Sequence, residues 1–340
     1  MRVSIIVPCR NEASYIDVLL ESAFAQALPA PGDELEVIVA DGMSDDGTRE
    51  RLDAWRARRT RLVIIDNPRR VTSAALNLAV EKACGEIVVR MDVHTQYAEN
   101  YVAACVEALR RTEAVCVGGA WNPVGQGWPQ ASIAAAFRSR FGSGGAASRQ
   151  RSYDGPVDTV YLGAWRRSDL LRLGGFDEAL VRNQDDELNL RITRAGGVVW
   201  QSASIRSSYA PRGSFKALFK QFYQYGYWKV AVIRKHRLPA SMRHLVPFAF
   251  VLTLAALAVA GMAWRPAWLA LAALSAAYAV AAVASASADR TTLRSPRELA
   301  GYLLACLCMH VAYGVGFAQG IVDLLLLRRG PHDAMARLTR

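Results

Sequence analysis

Acidic residues follow the apolar runs in the first half of this 340-residue chain. The run at residues 3–7 leads into Pro8-Cys9-Arg10-Asn11-Glu12, and the run at 35–40 stops at Asp41, which opens DGMSDDGT. A carboxylate at a strand end can accept the N–H of a uracil ring, so Glu12 and Asp41 are candidate nucleotide ligands. Asp41 can equally cap the turn before the next helix, and Asp45 and Asp46 are assigned only that capping role. The run at 86–91 leads into Asp92-Val93-His94. In an extended segment, residues i and i+2 point to the same side, so Asp92 and His94 are expected to reach one divalent cation. Such a cation neutralises a diphosphate leaving group. The competing reading is a helix-capping Asp beside a solvent-exposed His. Further on, Asp185-Asp186-Glu187 crowds three acids into one stretch. A helix macrodipole favours acids in its first turn, but adjacent charges repel one another. One carboxylate poised as a general base accounts for the cluster.

Elements that can position these residues alternate along the first half. Strands are predicted over 3–7, 35–40, 62–66 and 86–91, and helices over 12–27, 49–57 and 73–83. That order predicts an α/β fold with a mostly parallel sheet covered by helices. Ligands of such sheets bind beyond the carboxyl ends of the strands, where the acids lie. Residues 138–156, rich in Gly, Ser and Arg, read either as a mobile loop over the site or as a plain surface linker. Ordered structure returns over 162–194.

The second half is different. Hydrophobic residues make up 52% of the chain, mean hydropathy is +0.10, and the excess collects after residue 244. Stretches 245–263 and 267–286 are uncharged and long enough to cross a bilayer, joined through Trp264-Arg265-Pro266. A third, 299–327, carries His310, Gln319 and Asp323 and reads as a tilted span or as a span plus an interfacial piece. Aromatic and basic residues over 214–237 predict a stretch lying in the membrane interface. The net charge of +11 implies an anionic partner, and its peak at Lys229, Arg234, Lys235, Arg237 and Arg243 favours a membrane surface over a nucleic acid. The six scattered cysteines, with no Cys-x-x-Cys pair, read as reduced thiols. The N-terminal run lacks the features of a signal peptide and is expected to stay in the cytosol. Three spans would then carry Arg328, Arg329, Arg337 and Arg340 outside, against the preference of basic residues for the inside. No Gly-x-Gly-x-x-Gly follows the first strand, which argues against a dehydrogenase-type dinucleotide domain.

Five motifs together carry a family resemblance. VSIIVPCRNE, VIVADGMSDDGT, LNLAV before ACGEIVVRMDVH, LLRLGGFDEAL and QDDELNLRITRAGG occur in that order. Over about residues 2–230 the chain resembles the family 2 nucleotide-diphospho-sugar glycosyltransferases, with the GT-A fold. The DVH form, the NQDDE run and the apolar tail are similar to a bacterial exopolysaccharide branch that includes succinoglycan glucosyltransferases. The resemblance implies that Glu12 and Asp41 hold the uracil-ribose part, that Pro8 shapes the turn, and that Asn77 lies near the nucleotide. It makes Asp92 the metal-linked acid of an Asp-x-Asp signature. His94 departs from that signature and suits Mn²⁺ better than Mg²⁺. The family's catalytic Asp stands six residues before an Arg and after a Glu. Counting back from Arg191 gives Asp185, with Gln184 in place of the Glu, and Asp186 as the other choice. Gln224 stands where processive members carry the Arg of Gln-x-x-Arg-Trp, which implies addition of one sugar.

The expected protein is an inverting, metal-dependent enzyme (Mn²⁺ or Mg²⁺) transferring one sugar from a UDP-sugar to a lipid-linked saccharide. Two other readings are a polyprenyl-phosphate sugar synthase and a non-catalytic nucleotide-sugar-binding scaffold. The expected organisation is a catalytic domain at 1–213, interfacial helices at 214–243, about three spans over 244–327 and a polar tail at 328–340. Its expected place is the bacterial cytoplasmic membrane, with the catalytic domain in the cytosol.

Overall fold

The computed structural model describes residues 1–287, 295–331 and residue 335; Arg337 and Arg340 of the expected tail lie outside these. The chain forms two compact units, one of Met1–Asn122 with Ala147–Tyr209, the other of Pro123–Ala146 with Ala210–Arg340.

The first unit opens with β1 (Arg2–Cys9), α1 (Ile16–Phe24), β2 (Glu34–Asp41), α2 (Thr48–Arg56), β3 (Leu62–Asp66), α3 (Thr72–Lys82) and β4 (Ile87–Arg90). It continues with β5 (Thr95–Tyr97), α4 (Tyr101–Thr112) and β6 (Cys116–Gly119). Two helices of the second unit intervene, α5 (Gln130–Arg138) and α6 (Arg140–Ser143). The first unit then resumes with β7 (Gly155–Pro156), β8 (Tyr161–Arg166), α7 (Arg167–Arg172), α8 (Gln184–Arg194), β9 (Val199–Gln201) and β10 (Ser207–Tyr209). Eight strands form one sheet in the order β3-β2-β1-β4-β8-β6-β9-β7, and β10 pairs with β5 in a small second sheet.

Strands β3, β2, β1 and β4 run parallel, whereas β8 enters antiparallel between β4 and β6. Continuous apolar runs form these strands because both faces are covered. Val3, Ile5 and Val7 bury against Leu20, Val102 and Leu109 on one face. Ile6, Ile38 and Ala40 bury with Leu76 and Val80 on the other. The register places Cys9 opposite Asp41 and Asp41 opposite Asp66, so the strand-end residues line one edge.

The second unit adds α9 (Phe215–His236), α10 (Val246–Gly261), α11 (Pro266–Ala286) and α12 (Pro296–Gly320), the last running on into a π-helical turn at Ile321–Leu326. Among the described residues, three stretches are long and apolar enough to cross a membrane: Met242–Gly261, Pro266–Ala286 and Pro296–Leu326. The basic aromatic stretch is one continuous helix, α9, capped by Ser214, whose Oγ accepts from the Ala217 amide at 3.2 Å. Residues 138–156 are not one loop. They contain α6, a 3-10 turn at Ala147–Arg149 and β7, and they divide between the two units at Ala146.

Candidate active site

The centre of the site is a residue the motifs do not mark. β4 ends at Arg90, whose side chain is only 4% exposed. Its Nε and Nη2 donate to the two oxygens of Asp92 at 2.8 and 2.9 Å, and its Nη1 donates to Asp185 Oδ1 at 2.5 Å. This bidentate, charge-assisted pairing fixes the carboxylate plane as well as its position. The two acids remain about one-third exposed, at 32% and 34%. Burial pushes the Asp185 carboxyl up to about 6; Arg90 opposes the shift, while the charges of Asp92 and Asp186 add to it. A carboxyl poised there can take a proton near neutral pH. The signal for Arg90 is present in the sequence: a basic residue at the end of an apolar strand in a doubly covered sheet requires a buried partner.

The acids of α8 coexist because the helix turns about 100° per residue and aims each one differently. Asp185 points to Arg90. Glu187, fully buried, receives Arg191 Nε on both oxygens at 2.9 Å. Arg191 also donates to the carbonyls of Leu173 and Gly175 at 2.5 and 2.6 Å. The spacing that puts Arg191 six residues after Asp185 therefore has a structural cause: Arg191 fastens the GGFDE turn to the helix that presents Asp185.

Asn77 serves that same turn. The amide expected beside the nucleotide donates to the Phe176 carbonyl at 2.9 Å and to Glu178 Oε1 at 2.8 Å, and accepts from the Phe176 amide at 2.8 Å. With both donor hydrogens and its acceptor engaged, Asn77 is a clamp. Gly175, at φ 68°, is required beneath it, since a Cβ there would lie 2.5 Å from Asn77 Oδ1.

At the strand edge, Pro8 pairs with Ala40 and the Cys9 carbonyl accepts from the Gly42 amide at 2.7 Å, which closes the turn after β2. Asp41 is buried, and Oδ1 accepts from Ser44 Oγ at 2.5 Å. Its Oδ2 lies 3.6 Å from Arg49 Nη1, which also pairs with Asp66 at 2.5 Å. Asp45 exchanges hydrogen bonds with Asn11 at 2.9 and 3.1 Å, and Asp46 accepts from the Thr48 and Ala13 amides, both at 3.1 Å. These two keep the turn role expected of them.

The expected Asp92–His94 pair does not form as drawn. β4 has already ended, and the Thr95 amide donates to the Asp92 carbonyl at 3.2 Å, closing a turn. The same-side rule for extended chains does not apply inside a turn. His94 Nε2 instead lies 2.9 Å from Glu12 Oε2, with the ring 4.7 Å from that of Tyr15. Asp92 is held through its backbone by Tyr97, whose Oη accepts from the Asp92 amide at 2.6 Å and donates to its carbonyl at 3.0 Å. Among the described residues, no three His, Cys, Asp or Glu side chains are grouped to hold a metal ion. One partly exposed carboxylate, Asp92, nevertheless fits a cation that draws most of its oxygens from substrate phosphates. The donor set suits a substrate-borne ion rather than a cage built by the protein.

The family described as "Glycosyl transferase family 2" matches residues 4–173. The succinoglycan biosynthesis protein ExoA of Rhizobium meliloti (strain 1021) is 30% identical over 94% of this chain and 94% of its own length. A dolichyl N-acetyl-α-D-glucosaminyl phosphate 3-β-D-2,3-diacetamido-2,3-dideoxy-β-D-glucuronosyltransferase of Methanococcus voltae is 27% identical over 76% of this chain and 82% of its own. Among solved structures, a mannosyltransferase from Pyrobaculum calidifontis, in complex with GDP-Man and Mn²⁺, superposes with a TM-score of 0.62 at 25% identity. That match covers 92% of this chain and 86% of the other.

Proposed function

The chain belongs to glycosyl transferase family 2, and from that premise we propose that it transfers a single sugar from a nucleotide-sugar to a lipid-linked saccharide, with inversion at the anomeric carbon. As a glycosyltransferase of glycan synthesis it needs a base for the acceptor, a holder for the diphosphate and a pocket for the nucleotide. The observation that carries the assignment is the Arg90 bridge, which joins an acid suited to the diphosphate to an acid suited to the acceptor.

Asp185 takes the proton of the acceptor hydroxyl, which attacks the anomeric carbon from the face opposite the diphosphate. The C–O bond to the acceptor forms as the C–O bond to the diphosphate breaks, so one displacement inverts the centre. Asp92 is the residue that would hold a divalent cation, and that cation would supply neutralising charge to the diphosphate leaving group. Arg90 keeps Asp92 and Asp185 oriented. Asp41, Glu12 and the Pro8 turn form the wall for the base and ribose. The pairing of Glu12 with His94 supports a role for His94 beside the nucleotide rather than on the cation. Gln224, buried in α9 where processive enzymes carry Arg, supports one addition per encounter. The dolichyl-linked acceptor in the name of the Methanococcus voltae relative supports a lipid-linked acceptor here.

The test is transfer of labelled sugar from a panel of UDP- and GDP-sugars into membrane lipid extract, with the wild-type chain and Asp185→Asn side by side. A wild-type product that Asp185→Asn fails to make supports the proposal. Full activity of Asp185→Asn would favour an acceptor that arrives ionised, as a polyprenyl phosphate does. Nucleotide-sugar binding without any product from the panel would favour the scaffold reading.

A further inference from the structure

The first unit carries an aromatic group that the proposed mechanism leaves unused. β6 ends at Gly119, and two residues later Trp121 stacks on Tyr161, the first residue of β8, with ring centroids 5.5 Å and planes 6° apart. Tyr209 meets both rings edge-on, at 5.6 and 6.1 Å. The Arg149 guanidinium also lies over the Trp121 ring, 3.8 Å from its centroid. The Tyr161 hydroxyl shares a hydrogen bond of 2.7 Å with Thr95 Oγ1, and the Thr95 amide closes the turn on Asp92. The group therefore borders the candidate site.

Arg149 is also fixed along the chain. It ends the 3-10 turn Ala147–Arg149, where the Ser148 carbonyl accepts from the Trp121 amide at 3.2 Å. Just beyond, the buried Gln201 donates through Nε2 to the carbonyls of Gln150 and Tyr153 at 2.7 and 3.2 Å. Asp154 then accepts from Trp200 Nε1 and Ser202 Oγ, both at 2.9 Å. This half of the Gly-, Ser- and Arg-rich stretch is thus a strap tied on both sides of Arg149. A guanidinium stacked on an indole engages through its face, while its five N–H donors point outward in its plane. An arginine held in this way loses little rotamer freedom when those donors meet an oxyanion.

Sheet order indicates which oxyanion. The proposed nucleotide wall follows β1 and β2, and Asp92 follows β4. Trp121 follows β6, two strands further in the same direction and about 10 Å along the same edge. In a displacement that inverts the anomeric carbon, the acceptor enters opposite the diphosphate, so groups beyond β4 stand on the acceptor's side. We propose that Arg149, stacked on Trp121, binds the phosphate that joins the acceptor saccharide to its lipid. This rests on the lipid-linked acceptor of the proposed function. An anionic acceptor nearing Asp92 and Asp185 meets like charge, and a fixed guanidinium on its path offsets that repulsion.

Calorimetry on the full chain in detergent, with UDP saturating so that the donor site is filled, compares geranyl diphosphate with uncharged geraniol. The wild-type chain is expected to bind the diphosphate about tenfold more tightly or better. Arg149→Gln should bind the two alike, with UDP affinity and melting temperature nearly unchanged. A preference that survives in Arg149→Gln, or geranyl diphosphate excluded by UDP, overturns the proposal. So does an equal fall in UDP affinity at unchanged melting temperature, which would assign Arg149 to the donor. If Arg149→Gln misfolds, Arg149→Lys decides, because it keeps the charge without the fork: a reduced preference supports the site and an unchanged one overturns it. In transfer to membrane lipid extract, Arg149→Gln should raise the acceptor KM about tenfold, with kcat and donor KM nearly constant. An unchanged acceptor KM overturns the site and leaves the proposed transfer standing. An Arg149-dependent preference in a chain that forms no product supports the site and counts against the transfer.

Discussion

Arg90 and Asp185 meet at 2.5 Å although 95 residues separate them in the chain. The other edge of the same guanidinium holds Asp92, so one buried cation sets the distance between the strand-end acid and the helix-start acid. Arg90→Lys keeps the charge but not the fork, and is expected to fold with turnover reduced about 10²-fold through misplaced acids. Arg90→Met strips the acids of their counter-charge and is expected to cost about 3–5 kcal/mol of stability. Thermal melting and kcat measured together on both variants check this; equal loss of stability in the two would contradict a positioning role.

The raised Asp185 carboxyl predicts a pH dependence of definite sign. A base must be ionised, so kcat/KM of the free enzyme should rise with pH through an apparent pKa of about 6. Stability should run the other way. The folded chain holds this proton more tightly than the unfolded chain does, so the favourable contribution is complete below about 3.8 and is lost as pH rises through about 6. Asp185→Asn should flatten both trends. A wild-type acid limb that persists in this variant would assign the titration to another group.

Asn77 separates clamp from ligand. Asn77→Ala leaves the Phe176 amide and carbonyl without their partner, which costs roughly 1–3 kcal/mol. The melting temperature should fall, and the KM for the nucleotide-sugar should change less than kcat, because the GGFDE turn supports α8. A selective rise in donor KM at unchanged stability would return Asn77 to the nucleotide.

Much of this site is legible in the sequence, and the parts that are not share one cause. Strands β1 to β4 are readable because sheets covered on both faces demand continuous apolar runs, and the acids at their ends follow from where those runs stop. Asp185, the proposed base, is reached by counting back from Arg191. Arg90 escapes such reading, because within an apolar run it counts as an exception instead of half of a buried pair whose other half is far along the chain. The contacts that His94 and Asn77 make escape it for a similar reason. Their partners, Glu12 and the Phe176–Glu178 turn, are set by packing between distant segments. The division at residues 122 and 146 is equally hidden, since α5 packs with α12, more than 150 residues later.

A cation carried by the donor and anchored on Asp92 predicts that chelation abolishes transfer and that Mn²⁺ or Mg²⁺ restores it. Asp92→Ala should lose most activity while the sheet persists. His94→Ala should leave the Mn²⁺-to-Mg²⁺ activity ratio unchanged, since His94 Nε2 is directed at Glu12. A ratio that changes with His94 would show that the imidazole joins the cation during turnover.

Asp185 as the base is tested most directly against its own neighbour on the same helix. Asn preserves the shape of Asp and cannot take a proton at neutral pH. Single-turnover transfer of labelled sugar should fall roughly 10²–10⁴-fold in Asp185→Asn, with donor affinity nearly unchanged. Asp186→Asn makes the same charge change about 100° around the helix and should stay within about tenfold of wild type. An inactive Asp186→Asn beside an active Asp185→Asn would contradict the assignment.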